Sequence, residues 1–361
     1  MKSMSARSLK RGRSAALVFG LAAAAAVAVP ASASASADAS GVVGHVYVND
    51  NTKGTNTIGA FDRHADGTLT PQAGSPFAAG GAGTGSGLAS QDALQLSADG
   101  RFLIAVDAGS NQISVLRVRD DGSLRLVSHG VVSSGGLLPD SIAVHGDLVY
   151  VANSGTGGSN YTGFRLHANG RLFPISGSTV TLAASAAPGD VLFNGTGTKL
   201  AGAEVGTSLI DSFTVGFDGP RPCAWNGAGL GTVSAFTDSP NGTLTPVAGS
   251  PFPDQQTAPC WVEITHDGQF LFTVNTASGS ISRYRIAPGG ALTLLGSTQV
   301  RGTSVGAVDA RLSPGGRFLY LDESAVGKVG AFAVADGNLT ELATSPFQLP
   351  AGAAPVGIVV T

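Results

Sequence analysis

The chain has 361 residues, of which 12% are charged and 43% hydrophobic, with 52 glycines; its 21 Lys+Arg against 24 Asp+Glu give a formal charge of −3. No segment beyond the N-terminus is basic enough to grip nucleic acid or an anionic membrane surface. Two cysteines are too few for a disulfide framework, and six scattered histidines offer no zinc spacing, so the core must come from apolar burial and neither metal nor organic cofactor is called for.

Residues 1–37 carry the order of a secretory signal peptide. Lys2, Arg7, Lys10, Arg11 and Arg13 precede the apolar run "SAALVFGLAAAAAVAV", and "PASASASA" follows with small residues for cleavage. The apolar run is short for a spanning helix and lacks a basic stop behind it, so a secreted, extracellular chain with no membrane attachment after cleavage is expected. Five basic residues leave with the signal, and 16 minus 24 gives the remainder a charge of −8. Residues 38–44 read as a flexible linker, and 45–361 as one domain.

From there the chain is dominated by repetition. "HVYVND" (45–50) opens it. Copies of one pattern then follow at 96–127, 144–175, 264–295 and 312–342. Each has a short apolar strand (a), a Ser-Pro-Asp-Gly-like turn, an alternating strand such as "RFLYL" (b), a polar loop, a strand such as "ISVLRV" (c), a DG, NG or GG turn, and a last strand such as "SLRLV" (d). Period-two alternation marks the strands, and the glycine turns supply the positive φ that tight hairpins require. Four antiparallel strands repeated at this period predict an all-β fold, a β-propeller of four-stranded blades. "APVGIVVT" (354–361) reads as an a strand that completes the first blade and closes the ring.

The first apolar residues of the c strands are Ile58, Ile113, Tyr161, Ile210, Val233, Ile281 and Val329, spaced by 55, 48, 49, 23, 48 and 48. One step is half the usual length. The missing d, a and b strands belong between Val215 and Thr232, so the repeat is truncated around 210–236, in the stretch "GFDGPRPCAWNGAGLGTVSAF". Two arrangements satisfy this. A seven-membered ring with six complete blades and one truncated blade would expose apolar faces on its neighbours. A six-membered ring would join a and b of the fourth repeat to the later c and d, with 210–232 as an excursion.

The repeated hairpins, "NGTLTPVAGSPF", "EVGTSLIDSF" and "PCWVEITHDGQFLFTVNTASGSISRY" resemble the lactonase-type seven-bladed propeller family. It includes 6-phosphogluconolactonases and carboxymuconate-lactonizing enzymes and merges with the YVTN-repeat propellers. The resemblance spans nearly all of 44–361. It implies a hydrolase acting on a small sugar-acid lactone, with an acid near the end of a b strand working beside His and Arg at the channel mouth. "AEVGTSLIDSF" carries that acid over to Glu204, as general acid/base or water-orienting group. The chain departs from the family where cations are expected: "APGDVLF" and "SQDALQLS" contain neither Arg nor His.

A bland reading stands beside the catalytic one. Asn49, Asp107, Asn153, Asn275 and Asp322 occupy the same place in their repeats as Glu204, as side chains that cap the b–c turn would. Asp92, Asp140, Asp190, Glu263 and Asp309, with Gln95 and Arg311, fall on or beside the a strands that line a propeller's channel. They form either a ring that binds a polyhydroxylated ligand or cation, or a merely wet, polar lining. Cys223 and Cys260 are a candidate disulfide, the alternative being buried thiols. The "SPF" triplets at Ser75, Ser250 and Ser345 read as connectors between blades. The alternative to a lactonase is a non-catalytic secreted propeller binding a ligand or a protein through its channel or rim. A monomer is expected.

Overall fold

The computed structural model describes residues 41–215, 231–239 and 243–361. Six sheets form the blades. Blade I contains Val42–Asn49, Gly54–His64, Leu69–Pro71 and Phe77–Gly83, completed on its inner edge by Ile358–Val360. Blade II contains Leu94–Leu96, Phe102–Asp107, Gln112–Val118 and Leu124–Ser133. Blade III contains Pro139–His145, Leu148–Asn153, Asn160–Leu166, Leu172–Pro174 and Val180–Thr181. The described part of blade IV is three-stranded: Pro188–Phe193, Lys199–Glu204 and Leu209–Thr214. Blade V contains Pro259–Ile264, Phe270–Asn275, Ser280–Ile286 and Leu292–Gln299. Blade VI contains Ala307–Leu312, Phe318–Glu323, Lys328–Ala335, Asn338–Glu341 and Phe347–Gln348.

The pairings between the named strands of each blade are antiparallel, and most apolar residues of each sheet are buried against the next blade. Phe102, Ile104 and Val115 of blade II, for example, pack on Ile142, Val149 and Phe164 of blade III. Glycine is demanded where blades meet. Gly170 has a φ of +84°, and a Cβ there would stand 2.5 Å from the Phe102 ring of the preceding blade. Tyr47 donates a 2.7 Å hydrogen bond to the carbonyl of Gly122, and Tyr320 one of 3.0 Å to that of Gly67, so these turns also lock neighbouring blades together.

The half-length step in the repeat is a half-blade. Thr232–Val233 pairs with Phe252–Pro253, and Phe236–Asp238 with Leu244–Pro246, which are the c and split d strands; no a or b strand accompanies them among the described residues. Val233 and Phe252 pack on Leu271, Tyr284 and Leu292 of blade V, as a full preceding blade would. On the other side, Lys199 of blade IV donates to the carbonyl of Ser239. The strand pairing that the six-membered alternative requires is not found among the described residues: Lys199–Glu204 pairs with Leu209–Thr214 of its own repeat, because the Val205–Ser208 turn closes that hairpin locally. The expected exposure of apolar faces is present. Leu192 is 47% exposed on blade IV, and Val262 and Ile264 are 40% and 49% exposed on blade V.

Two expectations are corrected. The first strand starts at Val42, inside the stretch read as linker (38–44), because the strand extends past a bulge to pair Val42 with His64. The Ser-Pro-Phe triplets are not connectors between blades. They lie between the two halves of a split d strand, where the hydroxyls of Ser75, Ser250 and Ser345 accept from the amides of Ala60, Ala235 and Ala331 at 2.8, 3.0 and 3.0 Å. The serine fills the gap that the interrupted ladder would leave in the c strand.

Candidate functional site

Two constellations of acids stand out among the buried polar residues. The first is built around Arg311 on the a strand of blade VI. Its guanidinium bonds the Asp92 carboxylate and lies 3.4 Å from Oε2 of Glu263. Glu263 also accepts from the Leu312 amide at 2.9 Å, and Asp309 from the Ala310 amide at 2.9 Å. Asp92 reaches this cluster on a strap, residues 84–92, that crosses from blade I. Asn51 accepts from the Thr84 amide at 2.8 Å and holds one end. At the other end the Gln91 amide donates to Gly189 of blade IV at 2.9 Å, and Trp261 of blade V donates its indole N–H to Ser90 at 2.7 Å. Ala89 and Asp92 both take left-handed backbone (φ 55° and 64°), which these anchors maintain.

Of the channel residues expected from the sequence, Asp92, Asp190, Glu263, Asp309 and Arg311 come together electrostatically. Burial, then the Asp92 charge, holds Asp190 well above the usual carboxylate range. Burial also pushes Asp309 up to about 7 against the pull of Arg311. Asp140 is raised by burial and, further, by Asp190. Asp50, with only Thr57 Oγ1 on Oδ2 at 2.8 Å, is pushed up to about 7 by burial. In the unfolded chain these acids ionise near pH 4, so between about pH 4 and pH 7 the folded state holds protons that the unfolded state has lost. The stability each group contributes is therefore full below pH 4 and is lost as pH rises through its folded value. A group with a folded value of about 7 is worth about 2 kcal/mol between pH 7 and pH 5. The melting temperature is expected to rise by at least about 5 °C from pH 8 to pH 5, read by calorimetry; a flat or falling profile would contradict buried, protonated acids.

The second constellation is at Glu204, the last residue of the b strand of blade IV. Glu204 is 6% exposed, and Thr207 in the following turn donates to its Oε2. Asp211, 5% exposed, stands beside it on the c strand. Burial first, then the charge and hydrogen bond of Glu204, push Asp211 up to about 7. Tyr161 of blade III donates to Asp211 Oδ2 at 3.2 Å. The hairpin pairs Glu204 with Leu209 and Gly202 with Asp211, so the two acids are diagonal neighbours on one face, within reach of each other.

Asp211 was not anticipated, though the sequence contains its signal. A polar residue ends the b strand and a second stands seven positions on. Asn49–Asn56, Asn153–Asn160 and Asn275–Ser282 hydrogen-bond at 3.0, 2.9 and 2.9 Å, and Ser114 donates to Asp107. In blade VI the seventh residue is Val329, and both Asp322 oxygens lack a side-chain partner. The position of Glu204 is thus architectural in every blade; blade IV alone fills both places with carboxyls.

The family profile "Lactonase, 7-bladed beta-propeller" matches residues 45–181 and 223–357. The chain belongs to this lactonase family. A 6-phosphogluconolactonase candidate from Bacteroides uniformis is similar to this lactonase-family propeller with a TM-score of 0.65 at 19% identity, covering 88% of this chain and 99% of that one. A second candidate, from Bacteroides fragilis, gives 0.51 at 18% identity over 88% and 98%. The periplasmic gluconolactonase of Pseudomonas aeruginosa gives 0.50 at 17% identity over 88% and 85%. No curated protein sequence matches the chain. Where the family resemblance leads one to expect Arg or His, this lactonase-family chain places Gly189-Asp190 and Gln91-Asp92, so acids face its channel.

No cluster of three or more His, Cys, Asp or Glu among the described residues has the geometry to hold a metal. No helix among them is long and apolar enough to cross a membrane. Cys260 is exposed on the first strand of blade V. Cys223, its candidate partner, lies outside the described residues. Asn194 accepts from the amides of Thr198 and Lys199 at 2.9 and 3.0 Å and so caps its turn.

Proposed function

We propose that this protein is a secreted, monomeric hydrolase that opens a small sugar-acid lactone, with water as nucleophile and no cofactor. The observation that carries the reading is the Glu204–Asp211 pair. The two buried carboxyls are diagonal neighbours on one face of the hairpin, and burial pushes Asp211 up to about 7, which suits it to give up a proton near neutral pH. Glu204 takes a proton from the attacking water. Asp211 delivers one to the ring oxygen as the acyl C–O bond breaks. Tyr161 orients Asp211 by its hydrogen bond. Membership of the lactonase family and the names carried by its structural neighbours support the same chemistry. Export rests on the basic and apolar order of residues 1–37.

Glu204→Gln is expected to lower kcat on aldonolactones by at least about 10²-fold, followed as acid release at constant pH. Equal turnover by wild type and variant would overturn the assignment.

One observation favours a second reading, a propeller that binds a sugar or lactone without turning it over. Asp92 and Glu263 already engage Arg311, which leaves that guanidinium poorly placed to stabilise an oxyanion. Saturable binding of an aldonolactone without acid release, unchanged in Glu204→Gln, would select it.

A further inference from the structure

Glu204 differs from its counterparts in the other blades by one methylene group. In blades I, II, III and V the shorter side chain that ends the b strand bonds the residue seven positions on, as Asn49 does with Asn56 at 3.0 Å and Asn275 with Ser282 at 2.9 Å. In blades I, II and V a hydroxyl also stands three positions on, at Thr52, Ser110 and Ser278. It turns elsewhere: to Thr57 Oγ1 at 2.9 Å, to the Asp107 main-chain oxygen at 3.3 Å and to Thr257 Oγ1 at 2.8 Å. Blade IV reverses this division. Its seventh residue is Asp211, and an ionised carboxyl there offers Glu204 no donor. The longer Glu204 side chain instead receives the hydroxyl three positions on, and Thr207 donates to its Oε2. Asp211 takes its own donor from outside the hairpin, the Tyr161 hydroxyl at 3.2 Å. Each acid of the pair thus has one hydroxyl, and the two come from different elements.

The turn that carries Thr207 is itself pinned. The amides of Val205 and Gly206 donate to the carbonyls of Ala187 and Ala186 at 3.1 and 2.9 Å. A Cβ on Gly206 would collide with the Ser185 carbonyl oxygen, so the turn lies directly on the backbone of 185–187. Thr207 is half-buried and β-branched, which restricts its χ1. Its hydroxyl is therefore presented by a fixed backbone and a stiff side chain.

We infer that Thr207 is a positioning residue: it engages Oε2 of Glu204 and leaves Oε1 to receive the proton of the attacking water. The inference rests on the lactone reading above. In that reaction the water oxygen bonds the acyl carbon and gives one proton to Glu204 Oε1. The acyl C–O bond breaks, and the ring oxygen keeps the electron pair and takes the proton of Asp211. Solvent then removes the proton from Glu204 and returns one to Asp211. Thr207 touches neither water nor lactone; it acts through Glu204. A hydroxyl that donates to a carboxylate favours its ionised form, so removing it should show in the pH profile as well as in the rate.

The test uses two variants on glucono-δ-lactone. Thr207→Val keeps the shape and removes the hydroxyl; Thr207→Ser keeps the hydroxyl. Thr207→Val is expected to lower kcat about tenfold with KM little changed, and to move the acidic limb of kcat/KM up by about one pH unit. Thr207→Ser is expected to restore most of the rate and the wild-type limb. If Thr207→Val does not melt cooperatively, Thr207→Ala takes its place. A hydroxyl-free variant with the wild-type rate and limb, or a serine variant as impaired as it, overturns the inference. If the wild type opens no aldonolactone, the lactone reading fails separately. The carboxyl titration of residue 204, followed by NMR, then decides the inference. A midpoint raised in Thr207→Val and restored in Thr207→Ser upholds it, and a midpoint indifferent to the hydroxyl ends it.

Discussion

A chain lacking residues 356–361 is expected not to fold. Ile358 is fully buried and Val356 and Val359 nearly so, and Val46–Val48 pair with Ile358–Val360. Burying three such side chains contributes about 5–9 kcal/mol, comparable with the whole stability of an ordinary domain, about 5–15 kcal/mol. Polar links go with them. Arg63 Nη2 donates to the Thr361 main-chain oxygen at 2.7 Å, and the Asn49 amide to Gly357 at 2.9 Å. Deletion would also leave the Val42–Asn49 strand with a bare apolar edge, a template for aggregation. The expected result is loss of the cooperative melt and of the monomer peak in gel filtration. Ile358→Ala serves as the graded control, expected to remain folded with a loss of about 2–5 kcal/mol. A deletion variant melting cooperatively within a few degrees of wild type would show that the ring does not depend on this strand.

Arg311→Met should destabilise the fold by about 3–5 kcal/mol at pH 8, the usual loss when one partner of a buried ionic group is removed. Asp92 and Glu263 would then face each other without the guanidinium, with Asp309 and Asp190 close by. The loss should shrink towards pH 5 as these carboxyls take up protons, so the variant's pH profile should be steeper than that of wild type. Arg311→Met combined with Asp92→Asn is expected to recover part of it. Denaturant titrations at the two pH values measure all three. A pH-independent deficit would mean that Arg311 acts through packing alone.

Much of the fold was legible because its turns are written in glycine chemistry. The DG, NG and GG turns fix where hairpins close, and the spacing of Ile210 and Val233 located the half-blade to within a few residues. The channel acids were legible because a strands line the axis of any propeller. The route by which Asp92 joins them was not. The strap 84–92 is a Gly- and Ser-rich loop whose anchors, Asn51 and Trp261, are distant in sequence. Glu204 was found, but Asp211 was hidden in plain view, because its meaning depends on hairpin register. The arginine that matters, Arg311, was visible only as one polar residue among several; its pairing with Asp92 spans 219 positions.

The half-blade also gives the propeller a weakest joint. In a solenoid or ring of repeats, stability is close to a sum of nearest-neighbour interfaces, and a perfect ring has no preferred place to begin opening. Here no inner strands follow blade IV among the described residues, and Leu192, Val262 and Ile264 are in contact with water. The strap bridges that gap from the channel side, bonded to Gly189 on one flank and to Trp261 and Val262 on the other. The loop that delivers Asp92 to Arg311 is therefore also the clasp across the seam. Local opening of the ring and disassembly of the acid cluster are one event.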